Sequence, residues 1–223
     1  MPRYDVVNIL HPESVDTILA AEESARIGGM VRDEITSLGS NVFFKGEPLL
    51  LAINISENDS QNKKPSTRSG KLAVNIGNNV TLNSANLGSF NCGLCKITIV
   101  STEYGTSGKV TIGDGSTLQG TQLISYKNIT IGCNVLFGPN VIVMDSHGHP
   151  IQGRGTNSEV EMIESDAVVI GDNCWIGYGA MILPGVTIGD NCVIGAHSVV
   201  TESIESNSVG AGVPCKVIKS TLK

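Results

Sequence analysis

Large aliphatic residues recur along this chain at a period that belongs to no single helix or strand. Ile170, Ile176, Ile182, Ile188, Ile194 and Val200 stand six residues apart, and glycine follows directly at Gly171, Gly177, Gly189 and Gly195. The rhythm recurs upstream at Ile112, Leu118 and Ile124. It resumes one residue late at Ile131, Phe137 and Val143, and begins weakly at Ile76 and Leu82. An α-helix repeats every 3.6 residues and a strand every two, so a period of six describes a short strand plus a turn, used repeatedly. Three such strands make one triangular coil of about 18 residues, and stacked coils bury a continuous aliphatic column. The positions two before each inward residue are Val168, Cys174, Ala180, Val186, Cys192 and Ser198, small or medium as a crowded interior corner requires. The glycines are expected to supply positive φ at the turns. These features predict an all-β fold, a parallel β-helix over residues 72–205.

Ahead of the repeat, residues 12–28 read as a helix with an apolar face from Val15, Ile18 and Leu19, ended by Gly28-Gly29. Residues 31–38 read as a candidate continuation. Residues 41–55 predict strands, with Leu49–Ile55 as a buried run, and the polar residues 56–70 predict a loop or linker. The expected organisation is an N-terminal segment, 1–71, that caps the open end of the solenoid. The β-helix, 72–205, follows with a loop insertion at 144–166, and a tail, 206–223, ends the chain.

Composition narrows the function classes. The 223 residues include 26 Gly, 22 Val and 23 Ile but only 4% aromatics, which suits strands, tight turns and a thin regular core. The net charge is −6 with 16% charged residues, a poor footprint for nucleic acid or an anionic membrane. No apolar run approaches about 18 residues, so no membrane span is expected. The first ten residues lack a basic region followed by a long apolar stretch, so the expectation is no signal peptide and a cytoplasmic protein. Of six cysteines, Cys92 and Cys95 form a C-x-x-C pair with no second pair to complete a metal site, and Cys174 and Cys192 fall on repeat strands. Reduced, structural thiols are expected throughout. Gly105-Thr-Ser-Gly-Lys is too short for a phosphate-binding loop and lies between repeat strands.

The strict period stops after Val143 and restarts at Val168. A long loop inside a tight solenoid is unusual, and such loops tend to carry function. His147 and His149 stand at its base, and histidine is the natural general base near neutral pH. Asp145 is a candidate to orient an imidazole through Nδ1, or else caps a turn.

The run Val168-Val-Ile-Gly-Asp-Asn-Cys-Trp-Ile-Gly, the run Leu183-Pro-Gly-Val-Thr-Ile-Gly-Asp-Asn and the element Gly212-Val-Pro-Cys-Lys-Val-Ile resemble the hexapeptide-repeat acyltransferases. The branch they resemble is that of the maltose, galactoside and polysaccharide O-acetyltransferases. The resemblance is close over residues 110–219 and loose over 72–109. It implies a left-handed β-helix and a homotrimer with active sites between neighbouring subunits. It also implies acetyl transfer from acetyl-CoA to a hydroxyl of a sugar or cell-surface polysaccharide in one ternary complex, with no metal. His149, in Gly148-His149-Pro150-Ile151, matches the family's histidine-proline element and is the implied base, with His147 as the alternative. The amide near Tyr178 and Gly179 is the implied donor to the thioester oxygen, and Trp175 the implied wall of the pantetheine or acceptor pocket. Ala196 and Thr201 match positions lining the CoA groove. Lys216 and Lys219 match its basic positions, whereas Glu202 stands where lysine is common and weakens one expected phosphate contact. Two other readings stand beside this one: an N-acetyltransferase acting on an amino sugar, and a zinc enzyme of the carbonic-anhydrase type drawing on His147, His149 and His197.

Overall fold

The computed structural model describes residues 16–55, 71–85, 91–105 and 107–222. It is the all-β, left-handed parallel β-helix expected, preceded among the described residues by one helix. The first coil holds β1 (Ile35–Leu38), β2 (Phe43–Lys45) and β3 (Leu49–Ile55), and the second β4 (Leu72–Ile76), β5 (Thr81–Asn83) and β6 (Lys96–Thr102). The third holds β7 (Val110–Ile112), β8 (Thr117–Gln119) and β9 (Gln122–Ser125), and the fourth β10 (Ile129–Ile131), β11 (Leu136–Phe137) and β12 (Ile142–Met144). Beyond the insertion come β13 (Val168–Ile170), β14 (Trp175–Ile176) and β15 (Met181–Ile182), then β16 (Thr187–Ile188), β17 (Val193–Ile194) and β18 (Val199–Val200). A hairpin of β19 (Ser208–Gly212) and β20 (Cys215–Ser220) closes the chain as an antiparallel pair on β17.

Each coil gives one strand to each of three sheets. The first runs β1-β4-β7-β10-β13-β16, the second β2-β5-β8-β11-β14-β17-β19-β20, and the third β18-β15-β12-β9-β6-β3. Parallel register stacks like on like. Ile76, Ile112, Ile131, Ile170 and Ile188 form one buried column, and Ile97, Leu123, Val143, Ile182 and Val200 another. Val168, Cys174, Ala180, Val186, Cys192 and Ser198 are all buried at the corners, as their sizes suggested.

Several expectations change. The inward residue of β9 is Leu123, not Ile124, because the corner before Gly120 is one residue shorter than its counterpart before Asn140. Glycine supplies positive φ at some turns, at Gly115, Gly120, Gly179 and Gly185, and asparagine at others, at Asn79, Asn134, Asn173 and Asn191; the glycines directly after the inward isoleucines do not carry it. Gly171 is required for close approach instead: a Cβ there would stand 2.3 Å from Asp190 Oδ1 and 2.8 Å from the Asp190 nitrogen.

Stacking begins at Ile35, ahead of the expected start at 72, so residues 35–55 are a first coil rather than a separate cap. Among the described residues, α1 (Asp16–Glu34) covers the end. It runs through Gly28-Gly29, because Ser24, Ile27 and Val31 bury one face and the Ser24 hydroxyl accepts the Phe44 N–H at 2.8 Å. Residues 31–38 do not continue it throughout, since Ile35–Leu38 is strand. Leu49–Ile55 is strand but not buried: β3 is the edge of its sheet, with Leu49 and Ile53 exposed. The expected helix start at 12–15 and the loop at 56–70 lie outside the described residues.

The six cysteines are free thiols. Burial pushes Cys174 and Cys95 up to about 11 from an ordinary 9.0. The Cys92 and Cys95 thiols both donate to the Asn83 carbonyl, at 3.5 and 3.3 Å.

Candidate active site

The insertion leaves the solenoid after β12 and returns at β13. Its neck is tied: the Asp166 N–H donates to the Asp145 carbonyl at 2.8 Å, Ser146 and Ser165 form an antiparallel bridge, and Ser146 Oγ donates to the Glu164 carbonyl at 2.7 Å. Joined ends make this a packed Ω-loop rather than slack chain.

Asp145 lies wholly buried beneath the neck. Its carboxylate accepts from Ser125 Oγ at 2.8 Å, the Tyr126 N–H at 2.6 Å and the Lys127 N–H at 2.9 Å. These bonds hold the turn between β9 and β10. The expectation that Asp145 orients an imidazole is therefore corrected: a buried carboxylate needs several donors, and residues 125–127 supply them.

The imidazole's partner is Glu159, which the sequence reading passed over. His149 Nδ1 lies 2.7 Å from Glu159 Oε1, and Glu159 Oε2 accepts the Gly155 N–H at 2.6 Å. The Gly155 amide first, then the His149 ring, hold the Glu159 carboxyl below its ordinary value. An ionised carboxylate on Nδ1 fixes the ring proton there and leaves Nε2 with its lone pair. Among the described residues none makes a hydrogen bond to Nε2. The signal for Glu159 was faint: it is one of three glutamates in a polar stretch, behind Gly153 and Gly155, whose positive φ turns the loop back toward His149.

A pocket of about 270 Å³ opens beside this pair, lined by Ile55, Gly148, His149, Thr156, Glu159, Val160 and Ile163. Ile55 ends β3, so the first coil supplies part of a site whose base follows the fourth. His147 is exposed and does not line the pocket.

The other candidates lie elsewhere on the solenoid. Trp175 projects from β14 in the second sheet, 54% exposed, in register with Leu136 and Val193. Tyr178 and Gly179 form the corner that follows, and Ala196 occupies the equivalent corner one coil on. There the His197 N–H donates to the Tyr178 carbonyl at 2.7 Å, and the two rings meet edge to face at 5.0 Å. The Gly179 N–H already donates to the Pro139 carbonyl at 2.9 Å, so it is not an available oxyanion donor in this chain. Thr201 is exposed just after β18, and Lys216 and Lys219 are exposed on β20. Lys216 Nζ pairs with Glu202 Oε2 at 2.9 Å, so Glu202 engages one of the two lysines expected to meet phosphate. None of these residues lines the pocket beside His149. His147, His149 and His197 do not gather as zinc ligands: among the described residues no three His, Cys, Asp or Glu side chains are grouped to hold a metal. Among those residues no helix is long and apolar enough to cross a membrane.

Residues 167–202 match the family described as bacterial transferase hexapeptide (six repeats). The chain is 52% identical over 97 residues to galactoside O-acetyltransferase of Escherichia coli K12, covering 44% of this chain and 46% of that one. It is 41% identical over 99 residues to galactoside O-acetyltransferase of Lactococcus lactis, covering 43% and 44%. The chain thus spans about half the length of the curated relatives it matches. An N-acyltransferase from Bacillus cereus, solved with dTDP and 3-hydroxybutyryl-CoA, superposes with a TM-score of 0.60 at 24% identity over 90% of this chain and 87% of that one. That likeness is one of fold.

Proposed function

We propose that this chain, which carries the bacterial transferase hexapeptide repeat, is an acetyl-CoA-dependent O-acetyltransferase acting on a carbohydrate hydroxyl. The observation that carries this reading is the His149–Glu159 pair beside an open pocket, in a chain 52% identical over 97 residues to a galactoside O-acetyltransferase. His149 Nε2 takes the proton of the acceptor hydroxyl as its oxygen attacks the thioester carbonyl carbon. The tetrahedral intermediate collapses, the carbon–sulfur bond breaks, and the imidazolium returns its proton to the departing thiolate. Glu159 keeps the ring in the required tautomer and stabilises the imidazolium.

The donor site is built from Trp175, Tyr178, Ala196, Thr201, Lys216 and Lys219. The resemblance implies a homotrimer in which one subunit's donor groove meets its neighbour's loop, and the separation of these residues from the His149 pocket within one chain is consistent with that. Exposed Leu136, Val169 and Trp175 support such a contact.

Replacing His149 by alanine tests the reading. Acetyl transfer falls by about 10²–10⁴-fold while acetyl-CoA binding, read by calorimetry, is retained. The Glu159→Gln variant loses a smaller factor in kcat, with an altered pH profile. Full turnover in His149→Ala with loss in His147→Ala transfers the base role to His147. Absence of acetyl-CoA binding by the parent overturns the transferase reading.

A further inference from the structure

The pocket beside His149 says something about what the acceptor carries. Resting on the reading that His149 is the base, we propose that this pocket receives an apolar group of the acceptor next to the reacting hydroxyl. The acceptor is then a deoxy sugar, presenting a methyl or methylene there, rather than a fully hydroxylated one.

The lining offers three aliphatic side chains, Ile55, Val160 and Ile163, and few polar groups. The side-chain donors on it are already engaged. Thr156 Oγ1 donates to the Gly153 carbonyl at 2.6 Å, and His149 Nδ1 faces Glu159 at 2.7 Å. The Glu159 carboxylate takes the ring on one oxygen and the Gly155 N–H on the other. Two lining backbone groups are committed as well: the Gly148 N–H donates to Ser146 Oγ, and the Ile163 N–H to the Val160 carbonyl. A sugar hydroxyl set against Ile55, Val160 and Ile163 gives up part of its water for an aliphatic wall, whereas a methyl or methylene fills the space there. A volume of about 270 Å³ is enough for one monosaccharide ring with its substituents. An apolar site of this kind rejects an added hydroxyl only moderately, by about 10- to 100-fold.

The test is a deoxy scan with the full chain and acetyl-CoA. Methyl glucosides and galactosides are compared with forms in which each hydroxyl in turn is replaced by hydrogen, reading kcat/KM from CoA release. At least one deoxy form exceeds its parent by about tenfold. A Val160→Thr variant, nearly isosteric but carrying a hydroxyl, returns that ratio toward one while thermal unfolding shows it folded. If every deoxy form is equal to or worse than its parent while His149→Ala is inactive, the pocket assignment fails and acetyl transfer stands. If no sugar in the set is acetylated, this inference and the carbohydrate reading fall together.

Discussion

Replacing Gly171 by alanine separates two reasons for a glycine in this fold. The added Cβ would stand 2.3 Å from Asp190 Oδ1 and 2.8 Å from both the Asp190 nitrogen and the Gly189 carbonyl carbon. Two of those three atoms are backbone of the next coil, so no rotamer change relieves the contact. Asp190 Oδ1 also accepts the Asp172 N–H at 2.8 Å, a bond that displacement of the carboxylate would break. Overpacking of a tight contact costs about 1–3 kcal/mol, and loss of a charge-assisted bond adds about 1 or more, giving ~3 kcal/mol. For a chain of this length that is a fall in Tm of about 6–12 °C. Two companions serve as controls. Gly185 has φ +79° and a Cβ would meet ordinary contact at 3.4 Å, so Gly185→Ala costs only the strain of the left-handed conformation, about 1–2 kcal/mol. Gly29 is an exposed helical residue with nothing within 4 Å of a Cβ, and Gly29→Ala stabilises by about 0.5–1 kcal/mol. Urea and thermal unfolding of the three variants give the order Gly29→Ala, parent, Gly185→Ala, Gly171→Ala. A Gly171→Ala protein as stable as the parent would refute the close-approach argument, and with it the reason for the glycine in each repeat.

Three further outcomes follow from the same geometry. Asp145→Ala leaves the Ser125 hydroxyl and two N–H groups without their buried acceptor and lowers stability by about 3–5 kcal/mol in urea unfolding; unchanged stability with lost turnover would restore Asp145 as the imidazole's partner. Glu202→Gln frees Lys216 and tightens acetyl-CoA binding by a few-fold at low ionic strength, an exposed pair being worth about 0–1 kcal/mol, and the gain disappears in high salt; tightening that persists in high salt refutes the competition. Cys174 stays protonated in the fold up to about pH 11, whereas an ordinary thiol ionises near 9.0. Its contribution is therefore complete below pH 9 and lost as pH rises toward 11. Between pH 9 and 10.5, stability falls less steeply in Cys174→Ala than in the parent, and equal slopes refute the assignment.

The parts of this molecule that could be read in advance are those in which one physical requirement repeats. Each coil needs one large aliphatic per sheet and a small residue at the corner, so Ile170, Ile176 and Ile182 predict each other. The exceptions are places where the repeat is broken by a single residue. A five-residue step from Leu118 to Leu123 leaves Ile124 facing out, and only the register against Val143 reveals it. The first coil was hidden for a related reason: β3 is an edge strand with one covered neighbour, so Leu49–Ile55 resembles a buried run while standing half in solvent. Glycine in the repeat was visible, but its cause was not, because positive φ and close approach select the same residue. Structure separates them: Gly115, Gly120, Gly179 and Gly185 share the positive-φ turns with asparagines, while Gly171 is needed for the contact.

The candidate site divides along the same line. His149 was legible from its place at a break in the rhythm and from a local motif. Its partner was not, since Glu159 reaches it across ten residues of loop with no periodicity to constrain the path. Asp145, adjacent in sequence and chemically suitable, was the natural choice, yet its burial committed it to the 125–127 turn. Proximity in sequence therefore favoured the carboxylate that builds the loop's neck, while the one that faces the imidazole depends on how that neck, once closed, folds the loop back. The order matters for function: the solenoid fixes Asp145, Asp145 fixes the turn beneath the loop, and the closed loop sets Glu159 against His149. A variant that loosens the neck should lower turnover through the dyad's geometry without altering acetyl-CoA binding, because the residues proposed for the donor site sit on sheets and corners away from the neck.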